Sequence, residues 1–451
     1  MLNKNDIISL TIDGITNDGM GIGRHNGLAV FVPFTAVGDV VKAKILKVSK
    51  NCAYGKIEEI EVPTPDRIQP DCPVFGKCGG CSFRHISYEA EKRAKESFVY
   101  DAFTRIGHID AEFLPIIGNE SIDGYRNKAQ YPVGKDKDGK AVCGFFNSHS
   151  HRIIPCTDCK LQPEIFREIL DTIMDFVREK RISVYDEEKH EGVLRHICIR
   201  KGHYSGEINV TLVARRKIPE FTPLAKLIMS KFPTVKGIVL NINKDKTNVI
   251  LGNEEIILEG QAEITDTMCG SKITISPKSF YQVNTAAAER LYGAAKDFAQ
   301  PKGKTLLDLY CGAGTIGLSM AAEAKEIIGV EIVESAVENA RRNAMQNGIN
   351  NISFICGDAG KATTALVEQG KKADVVMVDP ARKGCDTVTL DNIVSFDPER
   401  IVMVSCNPAT AARDCAYLEK NGYKVKKVQA VDLFSKTNHV EAVILLTKKD
   451  G

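Results

Sequence analysis

The feature that most constrains this chain is an apolar strand that breaks into closely spaced glycines. Residues 306–309 are apolar except for Asp308, and Tyr310-Cys311-Gly312-Ala313-Gly314-Thr315-Ile316-Gly317-Leu318 follows. Gly312, Gly314 and Gly317 leave room for a ligand against bare backbone, and the apolar run 316–322 starts a helix that packs beneath the sheet. Such a loop is expected to cradle an adenosine-bearing cofactor, with Gly312 and Gly314 against it. Glu331 ends the next apolar strand about 20 residues on, where a ribose-binding carboxylate belongs. Asp358 closes a third strand, 352–355, and Asp379 a fourth, 374–378. With Asp308, acids thus recur at the carboxyl ends of successive strands, where open α/β sheets bind ligands. Strand and helix alternate from 303 onward, which predicts a parallel sheet with helices on both faces. The last strands, 423–428 and 440–446, have no helix between them, so the sheet is expected to end antiparallel.

With 451 residues the chain exceeds one core and is expected to form two or three domains. Lys plus Arg number 60 against 58 Asp plus Glu, a net charge of +2, so any nucleic-acid site must be a local patch. The start of the chain lacks an apolar signal core, and no run of about 18 apolar residues occurs, so a cytoplasmic, non-membrane protein is expected. Fourteen cysteines in such a chain point to buried thiols, metal ligands or a nucleophile rather than disulfides.

Residues 1–62 alternate in short apolar and polar runs broken by turns at 18–23 and 38–39, which predicts a small closed barrel of the oligonucleotide-binding kind. Lys42 and Lys44 share a face of one strand and are candidates to track a phosphate backbone. After a proline-rich linker, 63–70, Cys72, Cys78 and Cys81 gather around Gly79-Gly80. The wide first gap favours an iron-sulfur cluster over zinc, and either Cys156 or Cys159 can supply the fourth thiol. Residues 87–106 read as a helix with Glu89, Glu91 and Lys95 on its polar side and Phe98, Tyr100 and Phe103 available for packing. Arg126, Lys128 and Phe145, joined by Phe146 and His149 to Arg152, form a patch of bases and aromatics suited to single-stranded RNA. Residues 193–260 read as mostly antiparallel strands, with a hairpin of 194–200 and 207–212 and a second pair of 238–242 and 248–251. Asn284 precedes the helix 285–298 and is placed to cap it.

Two tetrads remain: Asp379-Pro380-Ala381-Arg382 after the fourth strand and Ser405-Cys406-Asn407-Pro408 after the fifth. Together with Tyr125-Arg126-Asn127-Lys128, Phe280-x-Gln282-x-Asn284 and the segment Asn438-His439-Val440-Glu441, they resemble the RNA (uracil-5-)-methyltransferases. The resemblance covers nearly the whole chain. It implies a multidomain α/β protein: a TRAM β-barrel over 1–62, a central α+β domain with an iron-sulfur cluster over 63–270, and a Rossmann-like methyltransferase domain over 271–451. It further implies that the helix near 87–107 packs on the catalytic domain. The fourth cluster ligand is then Cys159, in a Cys-x-Leu context, completing a [4Fe-4S] set with Cys72, Cys78 and Cys81. S-adenosyl-L-methionine would be lined by Gln282, Tyr310, Thr315, Glu331, Asp358 and Asp379, although Thr315 stands where some relatives have Asn. Cys406 matches the family's nucleophile, which adds to carbon 6 of uracil, and Glu441 its base, which removes the carbon 5 proton. Cys311, Cys385 and Cys415 are the rival thiols, and His439 has no assigned role.

The barrel and cluster resemble the ribosomal branch, which acts on 23S rRNA; the same chemistry serves tRNA. A monomer without an obligate protein partner is expected. A nicotinamide oxidoreductase would account for the glycine loop but not for Cys406 and Glu441, and a non-catalytic RNA-binding protein would account for the barrel alone.

Overall fold

The computed structural model describes residues 2–148 and 150–449. At the N-terminus Ile7–Ile15, Met20–His25, Leu28–Pro33, Val40–Val48 and Cys52–Val62 close into a barrel, as the alternation predicts. Its interior is filled by alternate residues such as Leu10, Ile12, Val30, Val32, Ala43 and Ile45.

The central unit is a sheet in which Lys128–Lys135 and Leu194–Lys201 pair antiparallel, and Leu194–Lys201 forms the expected hairpin with Ile208–Ala214. Two features differ from expectation. Ile208–Ala214 pairs parallel with Val235–Ile242, the crossover being the helix Phe221–Lys231. The partner of Val235–Ile242 on its other side is Glu254–Gly260, not 248–251. The side chain of Asn243 donates to the carbonyls of Val249 and Ile250 at 2.7 and 3.0 Å, and Asn241 donates to that of Gly252 at 3.0 Å. Those carbonyls are therefore satisfied within a loop, and the ladder begins only beyond it.

The catalytic sheet has, among the described residues, eight strands in the spatial order Ile352–Cys356, Glu326–Glu331, Thr305–Leu309, Val375–Val378, Arg400–Ser405, Glu441–Lys448, Tyr423–Val431 and Glu112–Ile117. The first five are parallel, and Glu441–Lys448 enters antiparallel between two neighbours, as expected. Successive residues feed opposite cores: Leu307, Leu309, Val376 and Val378 pack on one face, Leu306, Val375, Met377 and Val404 on the other. The hairpin of Ile264–Met268 and Ser271–Ile275 shares the second core with the helix Thr285–Ala299.

The eighth strand comes from far earlier in the chain. The helix Tyr88–Asp101, capped by Ser87, and a π-helical turn Ala102–Ile106 deliver it, and Phe98, Val99 and Phe103 join the first core. Glu91 and Lys95 are not on a polar side: both side chains are fully buried, whereas Tyr100 is half exposed. Their burial is possible because each finds an opposite charge, as described below. Among the described residues no helix is long and apolar enough to cross a membrane.

Candidate active site

A cavity of about 1390 Å³ opens at the carboxyl ends of the parallel strands, and residues from the catalytic sheet, the central sheet and the cysteine loop line it. On the catalytic side, the glycine loop leaves Thr305–Leu309 through left-handed backbone at Tyr310, Gly312 and Gly314. A Cβ on Gly314 would lie 2.9 Å from the Phe354 ring, so that glycine is required by packing; at Gly312 the same space is open toward the cavity. Glu331 is held rigidly, accepting from Gly312 N at 3.1 Å and Val333 N at 2.8 Å. Thr315 Oγ1 lies 3.1 Å from the Tyr292 hydroxyl, and Gln282 lines the cavity beside them.

The four acids at the strand ends have different fates. Glu331 and Asp379 line the cavity. Asp308 lies beneath the loop, one oxygen accepting from Gly317 N at 3.1 Å and the other unpartnered, and burial with the Asp379 charge pushes it up to about 7. Asp358 is outside the cavity lining and caps the helix Ala359–Glu368 through Lys361 N.

Cys406 and Glu441 meet at the end of a ladder. Ser405 pairs with Ala442 in the antiparallel register of Arg400–Ser405 and Glu441–Lys448, so the next step along both strands sets Cys406 beside Glu441, and both line the cavity. Burial, then the charge of Asp379, pushes Glu441 up to about 8, while Arg382 opposes the shift. Burial likewise pushes Asp379 up to about 7. The Cys406 thiol is raised by burial and by Glu441 and Asp379. Asn407 caps the helix Pro408–Lys420, and its amide donates to the Arg382 carbonyl at 3.0 Å, which ties the two tetrads together. Of the rival thiols, Cys385 and Cys415 are buried outside the lining, and Cys311, also buried, lines the cavity from the glycine loop.

Cys72, Cys78, Cys81 and Cys159 line the same cavity, as does Cys156. Burial and the charges of Cys159 and Cys78 push Cys81 up to about 12, against the pull of Arg84. The donor chemistry, thiols alone, suits a soft metal centre. Yet among the described residues no group of three or more Cys, His, Asp or Glu side chains is disposed to hold a metal ion. Arg126, Lys128 and Phe145 also line the cavity. Lys42 and Lys44 do not; Lys42 is paired on the barrel with Glu59 at 2.7 Å and Glu61 at 3.7 Å. His149 lies outside the described residues.

The family model for tRNA (uracil-5-)-methyltransferases matches residues 87–449, and that for the TRAM domain matches 3–57. The chain belongs to the tRNA (uracil-5-)-methyltransferase family. It is thus an S-adenosylmethionine-dependent RNA methyltransferase with an N-terminal TRAM domain. An RNA methyltransferase of Halalkalibacterium halodurans is 44% identical over 100% of this chain and 98% of its own, and one of Clostridium tetani 42% over 98% and 97%. The crystal structure of Pyrococcus abyssi tRNA (uracil-54, C5)-methyltransferase with S-adenosyl-L-homocysteine is similar with a TM-score of 0.80, at 26% identity over 98% of this chain and 100% of that one.

The methyltransferase also builds its site from residues with no role legible in the sequence. Phe434, Thr437, Asn438 and His439 line the cavity just ahead of Glu441, and Arg382 Nη2 is 3.4 Å from His439 Nδ1. Their loop is clamped from beneath. Lys95 Nζ donates to Glu91 at 2.8 Å, Asp432 at 2.7 Å and the Phe434 carbonyl at 3.1 Å, and Glu91 accepts from Lys436 N at 2.6 Å. Above, Ser82 N and Phe83 N donate to the Lys436 carbonyl, and Asn438 donates to the Asn17 carbonyl of the barrel at 2.8 Å. Helix, cysteine loop and barrel therefore converge on the residues that lead into Glu441. The Asn438-His439 segment before Glu441 was the one available signal.

Proposed function

We propose that this enzyme transfers a methyl group from S-adenosyl-L-methionine to carbon 5 of a uridine in 23S rRNA, with Cys406 as nucleophile and Glu441 as base. The observation that carries the reading is the adjacency of a thiol and a carboxylate of raised pKa in a cavity shared with the glycine loop and Glu331. Carbon 5 of uracil is a poor nucleophile. The Cys406 thiolate adds to carbon 6, and the electron pair of the 5,6 double bond passes to the ring as an enolate whose carbon 5 can take a methyl group. The cofactor supplies that methyl as an activated sulfonium substituent. Glu441 then accepts the carbon 5 proton, the double bond re-forms and the thiolate leaves. Burial keeps the Cys406 thiol protonated, so its proton passes to solvent water as the thiolate adds to carbon 6, and the Glu441 carboxylate beside it stays free for the carbon 5 proton.

Gln282, Tyr310, Gly312, Gly314, Thr315, Glu331 and Asp379 are the proposed cofactor residues, with Glu331 on the ribose hydroxyls; the helix-capping bond of Asp358 argues for an indirect part in shaping that wall. Although among the described residues no three such side chains are disposed to hold a metal ion, the family resemblance makes Cys72, Cys78, Cys81 and Cys159 the proposed ligands of a [4Fe-4S] cluster, and Cys156 a spare thiol. Arg126, Lys128 and Phe145 are the proposed RNA contacts within the cavity, and Lys42 and Lys44 weaker ones on the barrel. The proposed units are 1–62, 63–270 and 271–451.

A second reading takes tRNA as the substrate, and the likeness to the Pyrococcus abyssi enzyme favours it. Labelled S-adenosylmethionine with unmodified 23S rRNA and tRNA transcripts, followed by nuclease digestion, tests both. Label in 5-methyluridine of the ribosomal transcript supports the first reading, label in tRNA the second, and label in neither or in another base overturns both.

A further inference from the structure

The central sheet brings an unusual pair of side chains to the cavity wall. Lys128 and Arg200 are directly opposed in the antiparallel ladder of Lys128–Lys135 and Leu194–Lys201, so both stand on one face. Opposed like charges destabilise a sheet. Arg200 is only 5% exposed; its Nη2 donates to the Ser279 carbonyl at 2.8 Å, and its Nη1 has no partner. Leaving a buried guanidinium N–H unpaired is costly. Lys128 itself lines the cavity, together with Arg126.

Among the described residues no carboxylate bears on either charge. The acids among the described lining residues are Glu255, Glu331, Glu338, Asp379 and Glu441. The groups that bear on Lys128 are Arg200, Cys198 and Arg126, and those on Arg200 are Cys198 and Tyr281. Burial and then its cationic neighbours pull Lys128 down to about 8, the behaviour of an ammonium group that lacks a counter-ion.

We infer that Lys128 and Arg126, with Arg200 behind them, form an anion subsite that receives a phosphodiester of the RNA strand beside the target uridine. The inference rests on RNA being the substrate. A phosphodiester is permanently charged and repeats at every nucleotide, so a strand that offers its base to Cys406 necessarily carries phosphates along the wall. The other anion that enters the cavity is the carboxylate of the cofactor. Gly312 and Glu331, which hold the cofactor in the proposed reading, come from the catalytic sheet, whereas Lys128 and Arg200 belong to the central sheet. Asn127, next to Lys128, donates to the carbonyl of Gln282 at 2.9 Å, so the two ligands meet at this seam and the cofactor arm of the test separates them. Lys128 and Arg126 touch the phosphate, and Arg200 acts through Lys128 as a positioning charge.

Binding of a fluorescent single-stranded oligouridylate, measured by anisotropy over a range of salt, tests the subsite on the full-length protein. Lys128→Gln is expected to weaken RNA binding about 10-fold and to make the logarithmic salt dependence shallower by about 0.7, the loss of one phosphate contact. Lys128→Arg should retain both, and Arg200→Gln should weaken binding with the salt slope nearly unchanged. Cofactor affinity, measured by calorimetry, should stay within about 2-fold in all three, which also reports that they fold. An unchanged RNA affinity and salt slope in Lys128→Gln overturns the subsite, as does weakened cofactor binding with RNA binding intact. The substrate reading is scored separately, by methyl transfer from wild type: RNA that binds with the expected salt dependence but gains no methyl group sinks that reading and still supports the subsite.

Discussion

Cys406 and Glu441 each lie on the wrong side of neutrality for their tasks: burial holds the thiol protonated and lifts the carboxyl to about 8. A base that must accept the carbon 5 proton works only when ionised, so kcat should rise with pH through about 8 and level off above it, a profile that steady-state release of methylated RNA measures. Glu441→Gln keeps the shape but cannot accept that proton. It should leave enzyme covalently attached to methylated RNA, seen as a heavier band on a denaturing gel, and the double variant with Cys406→Ala should show no band. The same burial has a stability consequence of defined sign. The folded pKa of Glu441 lies above the ordinary 4.5, so the stability it confers is complete below about pH 4 and is lost as pH rises through about 8. Glu441→Gln should therefore melt at least about 2 °C above wild type at pH 9 and level with it near pH 4, in calorimetric scans without ligand. A gain that is largest at low pH would place the carboxylate in a favourable ionic environment instead.

At the scale of elements, the helix Tyr88–Asp101 carries a charge into the core in order to hold a loop. Removing one member of a buried ion network leaves the others uncompensated, so Lys95→Ala should cost about 3–5 kcal/mol in denaturant unfolding. Lys92→Ala, which loses a part-exposed pair with Glu89 and a cation lying 5.4 Å from the Tyr88 ring centre, should cost only about 1–2 kcal/mol. The cysteine loop makes a second prediction at this scale. Purified without oxygen, the protein should contain about four irons per chain; Cys159→Ala should lose them and Cys156→Ala keep them, by iron analysis and visible absorbance. Equal loss in the two variants, or zinc in place of iron, would overturn the ligand set.

Across the whole molecule, the barrel reaches the catalytic unit through Asn17 and Asn438, and the Arg67 guanidinium joins the linker to Asp39 of the barrel. Deleting residues 1–62 should raise the KM for long RNA while sparing cofactor affinity, since phosphate contacts position the substrate without reacting; an unchanged KM would make the barrel purely structural. Much of this organisation is legible in the sequence. Period-two alternation marks the barrel, the glycines after residue 309 mark the switch from strand to helix, and the missing helix before Glu441 marks the antiparallel strand that brings it to Cys406. These signals are local: each depends on which face of its own element a side chain takes. Tertiary structure alone decided the rest. Glu91 and Lys95 have the spacing of an exposed polar face, and only Asp432 and Lys436, more than 330 residues away, make their burial possible. Glu112–Ile117 precedes the catalytic sheet by nearly 200 residues, yet completes its edge. Asp358 and Asp379 end their strands alike, but one is consumed by a helix cap and the other faces the cavity. Whether a charge is paired, buried or left facing a ligand depends on partners that only the folded chain brings within a few ångströms, and Coulomb energies at that range do not follow distance along the sequence.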